Sequence, residues 1–264
     1  MNAHSNNRHA YRILLGAVLL LLGSACDRQQ TVSQPAEGTI AAANTGGESA
    51  TVKSGLQIAV SSVIYMEKEP GTEPYAVRIL VSPAYVRLDD GYDESDFVLL
   101  DRKSRQLYSI VHDDQSVLVI NNQVINAALP DTLKLTVESS TDDDAPAIAG
   151  KQPRHIKYLA NEETCRESVS VDGIMQAAVT GMQEFATALG ERQFNNMFSV
   201  PADMQTPCFL SRYVYASGRL YDNGLPIQIW DASGFYRALT DFSDEDSVAE
   251  SLFEVPDSYQ QLSM

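Results

Sequence analysis

Chemistry in this chain has few side chains to start from: three cysteines, four histidines and one tryptophan among 264 residues. Cys165 and Cys208 lie 43 positions apart, whereas redox pairs sit as Cys-x-x-Cys. Half a metal site would need imidazoles nearby, and His112 and His155 are close in sequence to neither cysteine. Two cysteines in an oxidising compartment pair, so the expectation is a structural Cys165–Cys208 disulfide, worth ~4 kcal/mol by chain entropy. A search for catalysis finds no Gly-x-Ser-x-Gly elbow, no His-Glu-x-x-His, no phosphate-binding glycine loop and no dinucleotide fingerprint. His112 sits beside Asp113 in what reads as a hairpin turn, and His155 opens a strand between Arg154 and Lys157. Both read as surface histidines. Paired carboxylates for glycoside hydrolysis are a spatial matter, and a lone Trp230, directly after Ile229, reads as a packed strand residue. The acidic clusters Asp89-Asp90, Asp93-Glu94, Asp142-Asp143-Asp144 and Asp244-Glu245-Asp246 lack the Asp-x-Asp-x-Asp-Gly spacing of a calcium loop. They read as solvated loops. The expectation is no enzyme, no cofactor and no metal.

The third cysteine belongs to the N-terminus. Arg8 and Arg12 precede an apolar run, Ile13 to Leu22, broken only by Gly16 and followed by Gly23-Ser24-Ala25. The run is too short to span a bilayer, which takes roughly 20 apolar residues, and its flanks fit a signal peptide. Leu22-Gly23-Ser24-Ala25-Cys26 resembles the lipobox of bacterial lipoproteins, with Gly23 where leucine is commonest. The resemblance implies cleavage before Cys26, acylation of Cys26, and anchoring by several acyl chains without a transmembrane helix. Asp27 is similar to the signal that keeps lipoproteins of enteric bacteria on the inner membrane. The expected location is the cell envelope, facing the periplasm, with the inner membrane slightly favoured.

Residues 1–25 are therefore expected as signal peptide and 26–54 as lipidated cysteine plus flexible linker. From Arg28 to about Ser54 the chain is mostly Gln, Ser, Thr, Ala and Gly without an apolar period, which cannot offset ordering entropy. Residues 55–264 are long enough for one domain with a real core. The formal charge is −16, and loss of Arg8 and Arg12 makes it more negative. Such a surface is repelled by nucleic acid and anionic headgroups.

The elements that must carry any site are mostly strands. Leu56 to Met66, Tyr75 to Val81, Ala84 to Leu88, Phe97 to Leu100, Gln106 to Val111 and Val117 to Ile120 are short apolar or alternating runs between polar turns. Leu133 to Val137, His155 to Ala160 and Thr164 to Val171 continue the series. Such spacing argues for one antiparallel, meandering sheet. Asp172-Gly173 is a hairpin signal, predicting a return strand from Ile174 to Val179. A capping box at Thr180 and Gln183 then opens a helix with Met182, Phe185 and Leu189 on one face. The competing reading starts the helix at Ile174 with Asp172 as cap. Near the end, Ile227 and Ile229 lead into an Asp231-to-Gly234 turn and a strand with Phe235, Arg237, Leu239 and Asp241 on one face.

The closing Phe253-x-Val255-Pro256-x-x-Tyr259, after a strand, a turn and a strand, resembles the ending of exported bacterial proteins grouped as a domain of unknown function. That family is similar to the lipoprotein carriers LolA and LolB and the stress regulator RseB. Val86-Arg87-Leu88-Asp89 resembles its arginine-bearing third strand. Phe97 to Asp101 and Gln106 to Ile110 resemble the following hairpin, and Cys165, Val169, Asp172 and Gly173 a cysteine strand found in some members. The resemblance implies a mainly β (α+β) fold: a single curved antiparallel sheet, or incomplete barrel, with a helix across its concave face. Imperfect closure between sheet and helix would leave an apolar cavity of the kind that accepts acyl chains. Val77, Ile79, Leu99 and Ile110 on the sheet and Met182, Phe185 and Leu189 on the helix could line it, or the same residues could form a filled core.

Two functions stay open at this stage. One is a carrier or sensor that binds an acyl chain or other apolar ligand, including the acyl chains of lipids or lipoproteins. The other is a module binding envelope proteins without a small ligand.

Overall fold

The computed structural model describes residues 55–121, 125, 128–141 and 144–263. Cys26, Asp27, the expected signal peptide and the 26–54 linker lie outside the described residues. Among the described residues twelve strands form one sheet. The first six, β1 (Gln57–Lys68), β2 (Tyr75–Val81), β3 (Tyr85–Asp89), β4 (Phe97–Asp101), β5 (Gln106–Val111) and β6 (Ser116–Ile120), are consecutive antiparallel neighbours. A second run, β7 (Leu135–Thr141), β8 (Arg154–Ala160) and β9 (Glu163–Val171), is built the same way. β10 (Leu225–Trp230) pairs with β9, and β11 (Tyr236–Ala249) pairs with both β10 and β1, joining the two runs. The last strand, β12 (Gln260–Ser263), lies parallel to β6. The fold is mainly β, as expected. The sheet is mixed rather than wholly antiparallel, and β12 and β7 stand at its two edges without closing a barrel.

Between β9 and β10 runs a helical segment containing α1 (Gln176–Asn196) and the short α2 (Pro207–Leu210). The return strand expected after Asp172-Gly173 does not form. Both edges of β9 are already taken, by β8 and by β10, so a third strand has no place there. The chain turns at Gly173, with φ +78°, and enters α1 five residues earlier than the Thr180 capping box predicts. Met175 caps the helix without a side-chain hydrogen bond. It is held by burial in the core, along with Ala178, Val179, Met182 and Phe185, residues three and four apart on one face.

The strands carry apolar residues on both sides. One face packs against α1 through Val63, Tyr65, Val77, Ile79, Val98 and Leu107. On the other face Leu80, Phe97, Leu99, Ile110 and Val117 pack against Leu252 and Phe253 from the C-terminal segment. The Phe253-x-Val255-Pro256-x-x-Tyr259 ending latches this second face. Phe253 stacks on Tyr85, and the Tyr259 hydroxyl lies 2.8 Å from His112 Nδ1. Arg87, buried and 2.6 Å from Asp89, donates to the Leu252 carbonyl.

Two local features set where the helix sits. A methyl group added at Gly181 would lie 2.6 Å from a Val81 methyl carbon, so only glycine lets α1 come this close to β2 and β3. In β11 the pairing with β1 skips Thr240, a bulge that inserts one residue. As a result Phe242 packs on the same cluster as Leu239, where a regular strand would send it to the opposite face.

Candidate functional site

Beyond Gly181 the helix and sheet part, and a cavity of about 580 Å³ lies between them. That is within the ~300–1,000 Å³ of small-ligand pockets. One end is apolar. Ile79, Val98 and Ile120 come from the sheet and Met182 and Phe185 from α1, all of them buried. Leu88 and Leu189 complete this end.

The expected lining is partly reassigned. Ile79, Met182, Phe185 and Leu189 line the cavity. Val77 is buried in the same cluster beside them without lining it. Leu99 and Ile110 do not: they belong to the opposite face. Along β4 the side chains alternate, Val98 and Leu100 toward α1, Phe97 and Leu99 away. An uninterrupted Phe-Val-Leu-Leu run hides that choice.

The other end of the cavity is polar and open. Tyr213, Pro70 and Ser233 line it and are solvent-exposed. Inside this rim stand four guanidiniums, Arg166, Arg192, Arg212 and Arg237, and three carboxylates, Glu67, Glu69 and Asp231. Arg166 comes from β9, Arg237 from β11, and Arg212 from a helical turn after α2. Arg237 is tied to Glu67 through both Nε and Nη2. Arg212 Nη2 lies 2.9 Å from Asp231 Oδ2, an ion-pair distance without the alignment of a hydrogen bond. Arg166 Nη2 is 3.9 Å from that same oxygen, beyond hydrogen-bond reach, and its Nε has no partner. The Phe235 ring has Arg166 and Arg237 stacked against it, at 5.3 and 6.0 Å.

Protonation follows from this crowding. Burial, then the like charge of Arg212, pushes Arg166 down to about 10, so it remains a cation at neutral pH. Burial pushes the Glu69 carboxyl up, and neighbouring Glu67 adds to the shift. Asp231 goes the other way: burial raises it, but Ser233 and Arg212 outweigh burial and the carboxyl ends below its ordinary value.

Cys165 and Cys208 form a disulfide that fastens α2 to β9. It sits one residue from Arg166 and four before Arg212, whose Nη1 reaches the Cys165 carbonyl at 3.5 Å. The covalent tie therefore fixes two of the four cations. Sequence reasoning missed this cluster. The available signal was charge at inward positions of apolar strands: Glu67 in β1, and Arg237 on the face shared with Phe235.

The two described histidines stand elsewhere. His155 stacks on Trp230 at 5.4 Å and lies 2.7 Å from Glu167; His112 meets Tyr259. Neither lines the cavity. Among the described residues no three His, Cys, Asp or Glu side chains gather as a metal site, and no helix is long and apolar enough to cross a membrane.

Neither a protein-family model nor a curated protein matches the chain. Two solved structures of PNGF-II, in C2 and P21 space groups, align with 78% of this chain at TM-scores of 0.39 and identities of 9% and 8%. The chain spans about a third of the length of those proteins, 31% and 32%. A likeness at that level carries no argument about what this protein does.

Proposed function

We propose that this is a non-enzymatic carrier or sensor that holds an acyl chain or another apolar ligand between α1 and the sheet. The observation that carries the reading is the cavity with a largely buried apolar end and an open polar one. An apolar pocket of this size gains free energy by taking up hydrocarbon, at about 25 cal/mol for each Å² removed from water. In this reading the sheet is a curved half-barrel and α1 its roof. The lipobox-like sequence supports a membrane-tethered lipoprotein, acylated on Cys26 and facing the periplasm, with Asp27 favouring the inner membrane.

The ligand reading is tested by solvent extraction of the purified protein and mass spectrometry for co-purified lipid, with titration of a fluorescent acyl-chain probe alongside. Phe185→Glu places a charge at the apolar end, where burying it unpaired is expensive. The expected result is a variant that still folds, with a lowered unfolding transition because Phe185 is a buried cluster residue, and that has lost probe binding when compared below its own melting temperature. A wild-type protein that yields no lipid and binds no probe overturns the reading. Anchoring is tested separately: labelled palmitate should enter the wild type and not Cys26→Ser, and equal labelling of both would remove the lipoprotein assignment.

A further inference from the structure

We propose that the cavity is built for an amphiphile with an oxyanion head, carboxylate or phosphate, held at Arg166 and Gln193 while its chain lies toward Ile79 and Phe185. The inference rests on the apolar-ligand reading above and adds the chemistry of the head. Three observations support it. The apolar lining around Ile79, Val98, Met182 and Phe185 and the charged lining around Arg166, Arg212 and Asp231 are separate groups, so a ligand whose chain lies in the first leaves its head among the second. The rim carries one more guanidinium than carboxylates, in a chain whose formal net charge is −16. Positive charge is thus gathered at this site against the trend of the whole molecule.

The third observation is the uneven pairing of those cations. Glu67 occupies Arg237, and Asp231 faces Arg212 at 2.9 Å. Arg166 has its nearest carboxylate at 3.9 Å, beyond hydrogen-bond reach, and its Nε, like those of Arg192 and Arg212, has no acceptor. Gln193 on α1 lines the same cavity, is only 4% exposed, and has an amide nitrogen with no partner. Buried donors without acceptors are costly, and proteins rarely keep them. An oxyanion would accept from both, and a guanidinium presents paired donors that match a carboxylate or phosphate edge. The depressed Arg166 points the same way, since an anion beside it would offset the Arg212 charge that crowds it. A neutral hydroxyl head would leave Arg166 uncompensated, and a cationic head would be repelled.

The test titrates the purified full chain with four single-chain probes below their micelle concentrations: laurate, dodecyl phosphate, dodecanol and dodecyltrimethylammonium. The two anions should bind at least about tenfold tighter than the alcohol, the effect of one charge-assisted hydrogen bond, and the ammonium weakest. Arg166→Gln should bring the anions level with the alcohol and leave alcohol binding unchanged. If Arg166→Gln lowers the melting temperature, Gln193→Leu carries the same comparison, with a several-fold loss expected for the anions alone. Preference for dodecyl phosphate would assign a phospholipid-type head, and preference for laurate a fatty acid. Equal binding of all four probes, unaffected by either variant, overturns the head-group inference and leaves the apolar-ligand reading intact. No binding of any probe overturns both.

Discussion

Glu67 and Arg237 face each other directly across β1 and β11, and the Glu67 carboxylate takes both Arg237 Nε and Nη2 on one oxygen. Its other oxygen accepts from the Tyr75 hydroxyl at 2.9 Å. Glu67 is buried and Arg237 mostly so, so loss of either leaves the other poorly solvated. Glu67→Gln should cost about 3 kcal/mol in urea unfolding, because it strands a guanidinium in a low-dielectric site. The double variant Glu67→Gln/Arg237→Met should recover part of that loss. A double variant as unstable as the sum of the singles would show that the pair is not coupled.

Asp231 makes stability depend on pH at the acid end. Its folded-state value is depressed by Ser233 and Arg212 in spite of burial. A depressed carboxyl contributes stability above its unfolded value, ~3.9, and loses it as pH falls through the lower folded value. Wild type should therefore exceed Asp231→Asn by about 1–2 kcal/mol at pH 7 and at pH 5. The gap should close as pH falls below about 4. Denaturant titrations at several pH values would show it, and a gap that persists undiminished at pH 2 contradicts the assignment.

The disulfide closes a long loop and should contribute ~4 kcal/mol through the unfolded chain. Cys165→Ser, Cys208→Ser and the double variant should lose similar amounts, since each removes the same crosslink. Thiol labelling of the denatured, unreduced wild type should find neither of these two cysteines free.

The β8–β9 hairpin turns at Asn161 and Glu162, both with positive φ, +50° and +69°. Asparagine tolerates that conformation, but glutamate has no such ease. Glu162→Gly should raise stability by about 0.5–1 kcal/mol, the relieved backbone strain less the added unfolded-state entropy. The readout is a shifted urea midpoint with an unchanged m-value.

The strands from β1 to β6 were legible because hairpin partners follow one another in the chain and each strand announces itself by alternation or by flanking turns. The disulfide was legible because Cys165 and Cys208 had no other partner of their kind. What stayed hidden depended on contacts between distant segments. Leu99 and Ile110 look no different from Val98 and Leu107, since a strand buried on both faces is apolar at every position. Asp172-Gly173 carries a true turn, but which element follows it depended on β10, more than fifty residues later, occupying the edge of β9. The arginine cluster draws on β9, α1, β11 and the turn after α2, so no spacing along the chain could have shown it.

The Cys165–Cys208 bond gives α1 a mechanical constraint that packing alone would not. The chain leaves β9 after Val171, runs the length of α1, and is sewn back to β9 at Cys165. The roof of the cavity is thus an arc of a covalent ring with both feet on one strand. Such an arc can tilt or bow, but it cannot swing off like a hinged flap. Under the proposed ligand reading, entry would then be lengthwise, past Tyr213 and Ser233, with the guest threading in rather than being covered.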